Sequence, residues 1–237
     1  MIERRPFAEL GHANHGWLNA RHHFSFANWY DPKRMGWGSL RVWNDDEIGP
    51  KSGFPPHPHN DMEIITYVRE GAITHKDSLG NEGRTEAGDV QVMSAGSGIR
   101  HAEYNLEDET TTLFQIWIEA NQRGGEPRWD ARPFPKDDRH GKFVVLASGL
   151  PEDRPGEEDG ALLIRSDGRV LGATLKAGDE TTYDLGAGRH AYLVSASGEV
   201  TVNGVTLNAR DGAAIKDEKT LTIRASSDAE LVLVDTL

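Results

Sequence analysis

Short apolar runs broken by glycine turns recur in two blocks of this chain, and that recurrence constrains its fold more than any other feature. Between Gly53 and Ile118 the runs IITYV, AITHK, DVQVM and TLFQIWI alternate with turns at Glu70-Gly71, Leu79-Gly80-Asn81, Ala87-Gly88-Asp89 and Gly96-Ser97-Gly98. None carries the 3.6-residue period of a helix, so the block predicts an antiparallel sandwich or barrel. From Ala161 to Leu237 the pattern returns, with Asn203-Gly204 between VTV and VTL as a type I′ hairpin signal. EIITYVREGAI aligns with HAYLVSASGEV, setting Gly71 over Gly198. A repeat of this kind predicts two copies of one β-barrel in an all-β chain.

The first copy carries residues that the second lacks. HPHNDME opens it with His57 and His59, and GIRHAE closes it with His101 and Glu103. In a strand, residues i and i+2 share a face, with Cβ atoms about 7 Å apart. If the two strands lie side by side, three imidazoles and one carboxylate converge. That donor set suits a divalent first-row ion and leaves one side open to a small molecule. The second copy has only His190 and no ligand pair.

Other stretches have plainer readings. GHANHGWLNARHHFSFANWYDP, near the N-terminus, reads as a segment packed on the barrel or as a pocket wall bringing aromatics to the metal. Its His12 and His15 read as exposed or hydrogen-bonded residues, and Phe24 and Phe26, alternating across Ser25, as two rings on one face of a short strand. Asp45, Asp46 and Glu47 read as a solvated acidic turn after SLRVW, because no EF-hand spacing follows. SAGSG lacks the Lys-Ser/Thr ending of a phosphate loop and reads as a tight turn that aims His101 inward. Residues 119–142 are polar, with Gly, Pro and mixed charge, and read as a linker or a segment wrapping the surface, with His140 exposed.

Composition closes off several functions. A net charge of −12 argues against nucleic acid or an acidic bilayer as partner. The absence of cysteine removes disulfides, thiolate ligands, Fe–S clusters and a thiol nucleophile. No signal-peptide pattern and no apolar run near ~20 residues is visible, so the expectation is a cytoplasmic protein without membrane spans.

HPHNDMEIITYVREG resembles the first cupin motif, and GDVQVMSAGSGIRHAEYN, with Gly88, Gly96, His101 and Asn105, resembles the second. GHANHGWL, FSFANWYDP, HPHNDMEI, AGSGIRHAEYN and QIWI, in that order, are similar to the pirin family. The resemblance implies a bicupin, two tandem jelly-roll-like cupin barrels. Residues 1–122 would form the metal-binding domain, 123–142 the linker, and 143–237 a degenerate barrel without metal. It implies His57, His59, His101 and Glu103 as ligands of one divalent transition metal, with Fe(II) expected and Mn, Co, Ni, Cu or Zn compatible. It further implies a quercetin 2,3-dioxygenase, opening a flavonol or other enol substrate with O2 and releasing carbon monoxide, in which Glu103 can double as general base. The alternative is a metal-binding cupin that serves as a redox or metal sensor or a co-regulator without turnover. A metal-dependent isomerase or hydrolase is a third class, for which no Ser/His/Asp set or carboxylate pair is present. Glu63 fills the glutamate slot of the general cupin motif, and reads either as an outer partner orienting a ligand histidine or as a surface charge.

Overall fold

The computed structural model describes all 237 residues. Two seven-stranded sheets and two four-stranded sheets form a pair of antiparallel barrels. The internal repeat is realised strand for strand. In the first large sheet Met62–Glu70 lies between Val90–Ser94 and Thr111–Glu119; in the second His190–Ser197 lies between Gly212–Lys216 and Ala229–Thr236. Gly71 (φ 76°) and Gly198 (φ 79°) follow the two central strands in the left-handed region that glycine enters without a Cβ penalty. Asn203 and Gly204, both at positive φ, close the expected hairpin.

The two large sheets pack face to face. The largest core cluster lies between the barrels, where Ile65, Tyr67, Phe114 and Ile116 of the first meet Leu146, Tyr192, Val194 and Val232 of the second. Strands of these sheets are therefore buried on both faces, and this is why DVQVM and TLFQIWI read as near-continuous apolar runs. The barrel interiors differ. The second is filled by 17 buried apolar residues, among them Leu193, Val202, Ile215, Leu221 and Leu233. The first holds only clusters of six and four such residues, which leaves room inside it.

Three sequence expectations give way here. Residues 123–142 are more than a linker: Arg128–Arg132 pairs with Val90–Ser94 along the edge of the first large sheet. A short 3₁₀ turn then buries Arg139, whose guanidinium donates to Tyr67 and to the Gly88 carbonyl. The first residues, in turn, leave the first barrel. Ile2–Arg5 pairs with Gly212–Lys216 and closes the edge of the second large sheet, so a cut at residue 122 does not separate the barrels in space. The acidic run Asp45-Asp46-Glu47 is not a turn but the second half of strand Leu40–Ile48. Its side chains alternate, and Asp45, fully buried, is paired by Arg69 and by Arg210 of the second barrel.

Candidate metal centre

Strands Ser52–His59 and Ile99–Asn105 are neighbours in the first small sheet, antiparallel, with His101 opposite His57 and Ile99 opposite His59. Gly53 permits this approach, because a Cβ there would collide with the backbone of Glu103 and Tyr104. The turn before His101 is the expected tight one, with Gly96 and Gly98 at positive φ. Pairing brings three imidazoles together. Ring centroids of His57 and His59 are 4.8 Å apart, His57 and His101 4.5 Å, and His59 and His101 5.0 Å. One ring nitrogen from each lies within 4.8 Å of the others.

A bulge between His101 and Glu103 shifts the register against the first strand, and the fourth expected residue is not grouped with all three imidazoles, though it shares their cavity. Glu103 clusters instead with His101 and His75, its carboxylate within 4.8 Å of both. His101 is thus common to two overlapping groups. Glu103 is buried and held by three side chains: Gln91 Nε2 at 2.7 Å and Thr66 Oγ1 at 3.1 Å on one oxygen, Gln115 Nε2 at 2.8 Å on the other. Sequence reasoning missed these residues. The available signal was a polar residue on the inward face of an apolar strand, Gln91 between Val90 and Val92 and Gln115 between Phe114 and Ile116. It also missed His75, which is fully buried, stacked on Trp129 at 4.9 Å and hydrogen-bonded to Asp77 at 2.9 Å.

The donor chemistry fits a divalent ion. Neither ring nitrogen of buried His101 has a hydrogen-bond partner, and an orphaned buried imidazole is costly unless something binds it. His57 Nδ1 donates to the Pro55 carbonyl at 2.8 Å, which leaves Nε2 with a lone pair for a metal. Burial, reinforced by mutual repulsion with neighbouring histidines, lowers the pKa of His59 to about 4 and of His101 to about 3. Both are neutral at neutral pH.

The trio looks into a cavity of about 370 Å³, within the ~300–1,000 Å³ range of small-molecule sites. Its apolar wall includes Phe26, Phe54, Ile64 and Trp117, with Trp117 edge-on to both Phe26 and His59. The N-terminal segment therefore supplies part of the pocket wall, through His22 and Phe26. Phe24 and Phe26 do not share a face: Phe24 is buried between the barrels against Tyr192, and Phe26 lines the cavity. His12, His15 and His140 are exposed. Glu63 follows neither expectation. It faces away from the cavity, buried, and accepts a hydrogen bond from Ser94 at 2.6 Å, with burial holding its carboxyl above the usual range. Asp46 faces the cavity with Oδ1 buried and unpartnered; burial, then the charges of Asp45 and Glu103, holds its carboxyl well above the usual range.

Two tandem barrels, one hollow with imidazoles converging at its cavity and the other packed solid, define a bicupin with one metal-competent barrel. The chain belongs to the pirin family: residues 3–118 match the Pirin family model, and residues 154–236 match that of the quercetinase C-terminal cupin domain. It is 70% identical over 235 residues to a pirin-like protein of Caulobacter vibrioides, covering 99% of each chain. It is 45% identical to the quercetin 2,3-dioxygenase of Escherichia coli K12, covering 99% of this chain and 98% of that one. The crystal structure of the E. coli bacterial pirin YhhW in complex with nickel(II) superposes with a TM-score of 0.91 at 43% identity, covering 100% and 99% of the two chains. No helix is long and apolar enough to cross a membrane.

Proposed function

We propose that this chain is a metal-dependent dioxygenase that opens the flavonol ring of quercetin-like substrates with O2 and releases carbon monoxide. The observation that carries the reading is the trio of imidazoles at the wall of an apolar cavity in the first barrel, with His59 and His101 held neutral by burial. The substrate class is supported by the name of the E. coli relative, quercetin 2,3-dioxygenase. We assign His57, His59 and His101 as ligands, with Glu103 as the fourth, and we assign no metal to the second barrel, residues 143–237, whose interior is filled by side chains. A divalent ion held by that first-barrel set, Fe(II) in our reading, would supply Lewis acidity to the bound enol and the redox chemistry that O2 requires.

The chain's own groups do the rest. Phe26, Phe54 and Trp117 give the planar substrate an apolar seat and keep water from the reacting enol. Gln91, Gln115 and Thr66 fix the Glu103 carboxylate by three hydrogen bonds, so that it meets the substrate without reorganising. Glu103 takes the proton of the 3-hydroxyl as general base, and His59 and His101, neutral by burial, add no positive charge that would repel the ion. An oxygen electrode tests the reading: metal-replete protein with quercetin should consume O2, and chelated protein should not. Flavonol binding without O2 uptake, for each of Fe, Mn, Co, Ni, Cu and Zn, would favour the sensor reading.

A further inference from the structure

Besides the three clustered histidines, the cavity wall carries polar groups already engaged within the protein. His22 Nδ1 is engaged by Asn44 Oδ1 at 2.8 Å, and Gln115 is spent on Glu103. Asp46 is the exception. It is 2% exposed, its Oδ1 has no partner, and its cross-strand neighbours, Leu113 and Ala20, have no group to offer it. It belongs to neither histidine cluster. Its sequence neighbour Asp45, on the opposite face of the same strand, has two arginines. A buried carboxyl without a partner is among the more costly features a fold can carry, and it is tolerated where a ligand completes it.

We propose that Asp46 is a specificity residue of this cavity, accepting a hydrogen bond from a substrate hydroxyl remote from the enol that faces the histidines. The inference rests on the flavonol reading and deepens it, because it selects among flavonols. A carboxyl oxygen accepts from a phenolic O–H whether or not the other oxygen is protonated, so the contact does not depend on the ionisation of Asp46. A cavity with Phe26, Phe54 and Trp117 in its wall seats a planar ring system, and Asp46 offers that ring system an acceptor at its edge. A polyhydroxylated flavonol has the hydroxyl to meet it. A flavonol whose only hydroxyl is the enol leaves Asp46 orphaned, and a site so built rejects the analogue lacking the hydroxyl.

The test compares quercetin with 3-hydroxyflavone, which keeps the enol and lacks the other hydroxyls. Anaerobic fluorescence titrations of metal-replete wild type, Asp46→Asn and Asp46→Leu give the ratio of the two affinities in each protein. Asp46→Leu should shrink the wild-type preference for quercetin by about tenfold or more, the value of one buried hydrogen bond to a carboxyl. Asp46→Asn keeps an accepting oxygen and should retain a larger part of the preference than Leu. Metal content and melting temperature, measured alongside, separate lost recognition from a lost fold. An unchanged ratio in a folded, metal-replete Asp46→Leu protein would overturn the inference and leave the flavonol reading intact. Failure of the wild type to bind either flavonol would overturn both.

Discussion

Asp45 and Asp46 are adjacent, chemically identical and both buried, yet the structure predicts opposite outcomes for the same substitution. Asp45 Oδ2 takes Arg210 Nε at 2.6 Å, its Oδ1 takes Arg210 Nη2 at 3.0 Å, and Arg69 Nη2 also pairs with Oδ1. Its side chain is 0% exposed, against 10% for Arg69 and 23% for Arg210. Asp45→Asn keeps the volume and one acceptor but removes the charge. Arg210 retains Glu47 at 2.9 Å, while Arg69 loses its only salt-bridge partner. Breaking a buried pair from one side costs about 3–5 kcal/mol, and the retained acceptor argues for the lower end, about 3 kcal/mol. At roughly 2–4 °C per kcal/mol for a chain of this size, the melting temperature should fall by about 6–12 °C. Asp46→Asn should do the reverse. Its carboxyl is held above the ordinary 3.8, so the wild-type fold is unpenalised below that pH and loses stability as pH rises through the folded value. Replacing it relieves that loss, and the mutant should gain on the wild type as pH rises from about 4 to 7. Thermal denaturation of metal-free wild type and both variants at two pH values is the assay. A cost below about 1 kcal/mol at Asp45, or a larger cost at Asp46 than at Asp45, would refute the assignment of one acid to the barrel interface and the other to the cavity.

Three further predictions concern the histidines and Glu103. Metal-free protein should lose stability in acid: the His59 and His101 pKa values lie below the 6.5 of free imidazole, so stability complete above pH 6.5 is lost toward pH 4 and 3. His101 contributes up to about 1.4 kcal/mol per pH unit and the partly exposed His59 less; His101→Leu should flatten the curve in urea titrations, and an unflattened one would count against it. Elemental analysis should find stoichiometric metal in His12→Ala and His15→Ala and none in His57→Ala or His101→Ala; full retention in the latter two would remove the ligand assignment. Glu103→Gln sets one amide NH2 against the donating amide of Gln91 or Gln115, so the variant should be less stable than wild type by about 1–2 kcal/mol. At full metal occupancy it should bind flavonol yet turn over slowly, and near wild-type turnover would leave Glu103 without the role of base.

What the sequence revealed, and what it hid, follows from how local each signal is. The glycine-punctuated repeat and the pairing of His57/His59 with His101 were legible because both depend on spacing within a strand and on two strands being neighbours. The register shift before Glu103 was missed although a signal was present: the extra residue lies between Phe54 and His57, at Pro55-Pro56, and proline inside a strand marks an edge or a bulge. The acidic run looked solvated because the groups that neutralise Asp45 lie at Arg69 and Arg210, far away in the chain. Sheet edges were hidden for the same reason. Ile2–Arg5 and Arg128–Arg132 are too short and polar to stand out, and each is a strand only because an unpaired edge awaits it. His75 is a lone histidine in an alternating run, and only the fold brings it beside His101, with ring centroids 5.4 Å apart.

A first barrel that oxygenates a flavonol with a bound metal must release carbon monoxide in step with O2 uptake. The most direct test is the amount of carbon monoxide released per O2 consumed when metal-replete protein, reconstituted anaerobically, receives quercetin and a measured pulse of O2. The wild type should release carbon monoxide equimolar with the O2 it consumes, and His101→Ala should show neither product formation nor uptake above background. Oxygen consumed without carbon monoxide, or equal turnover by His101→Ala, would contradict the dioxygenase reading.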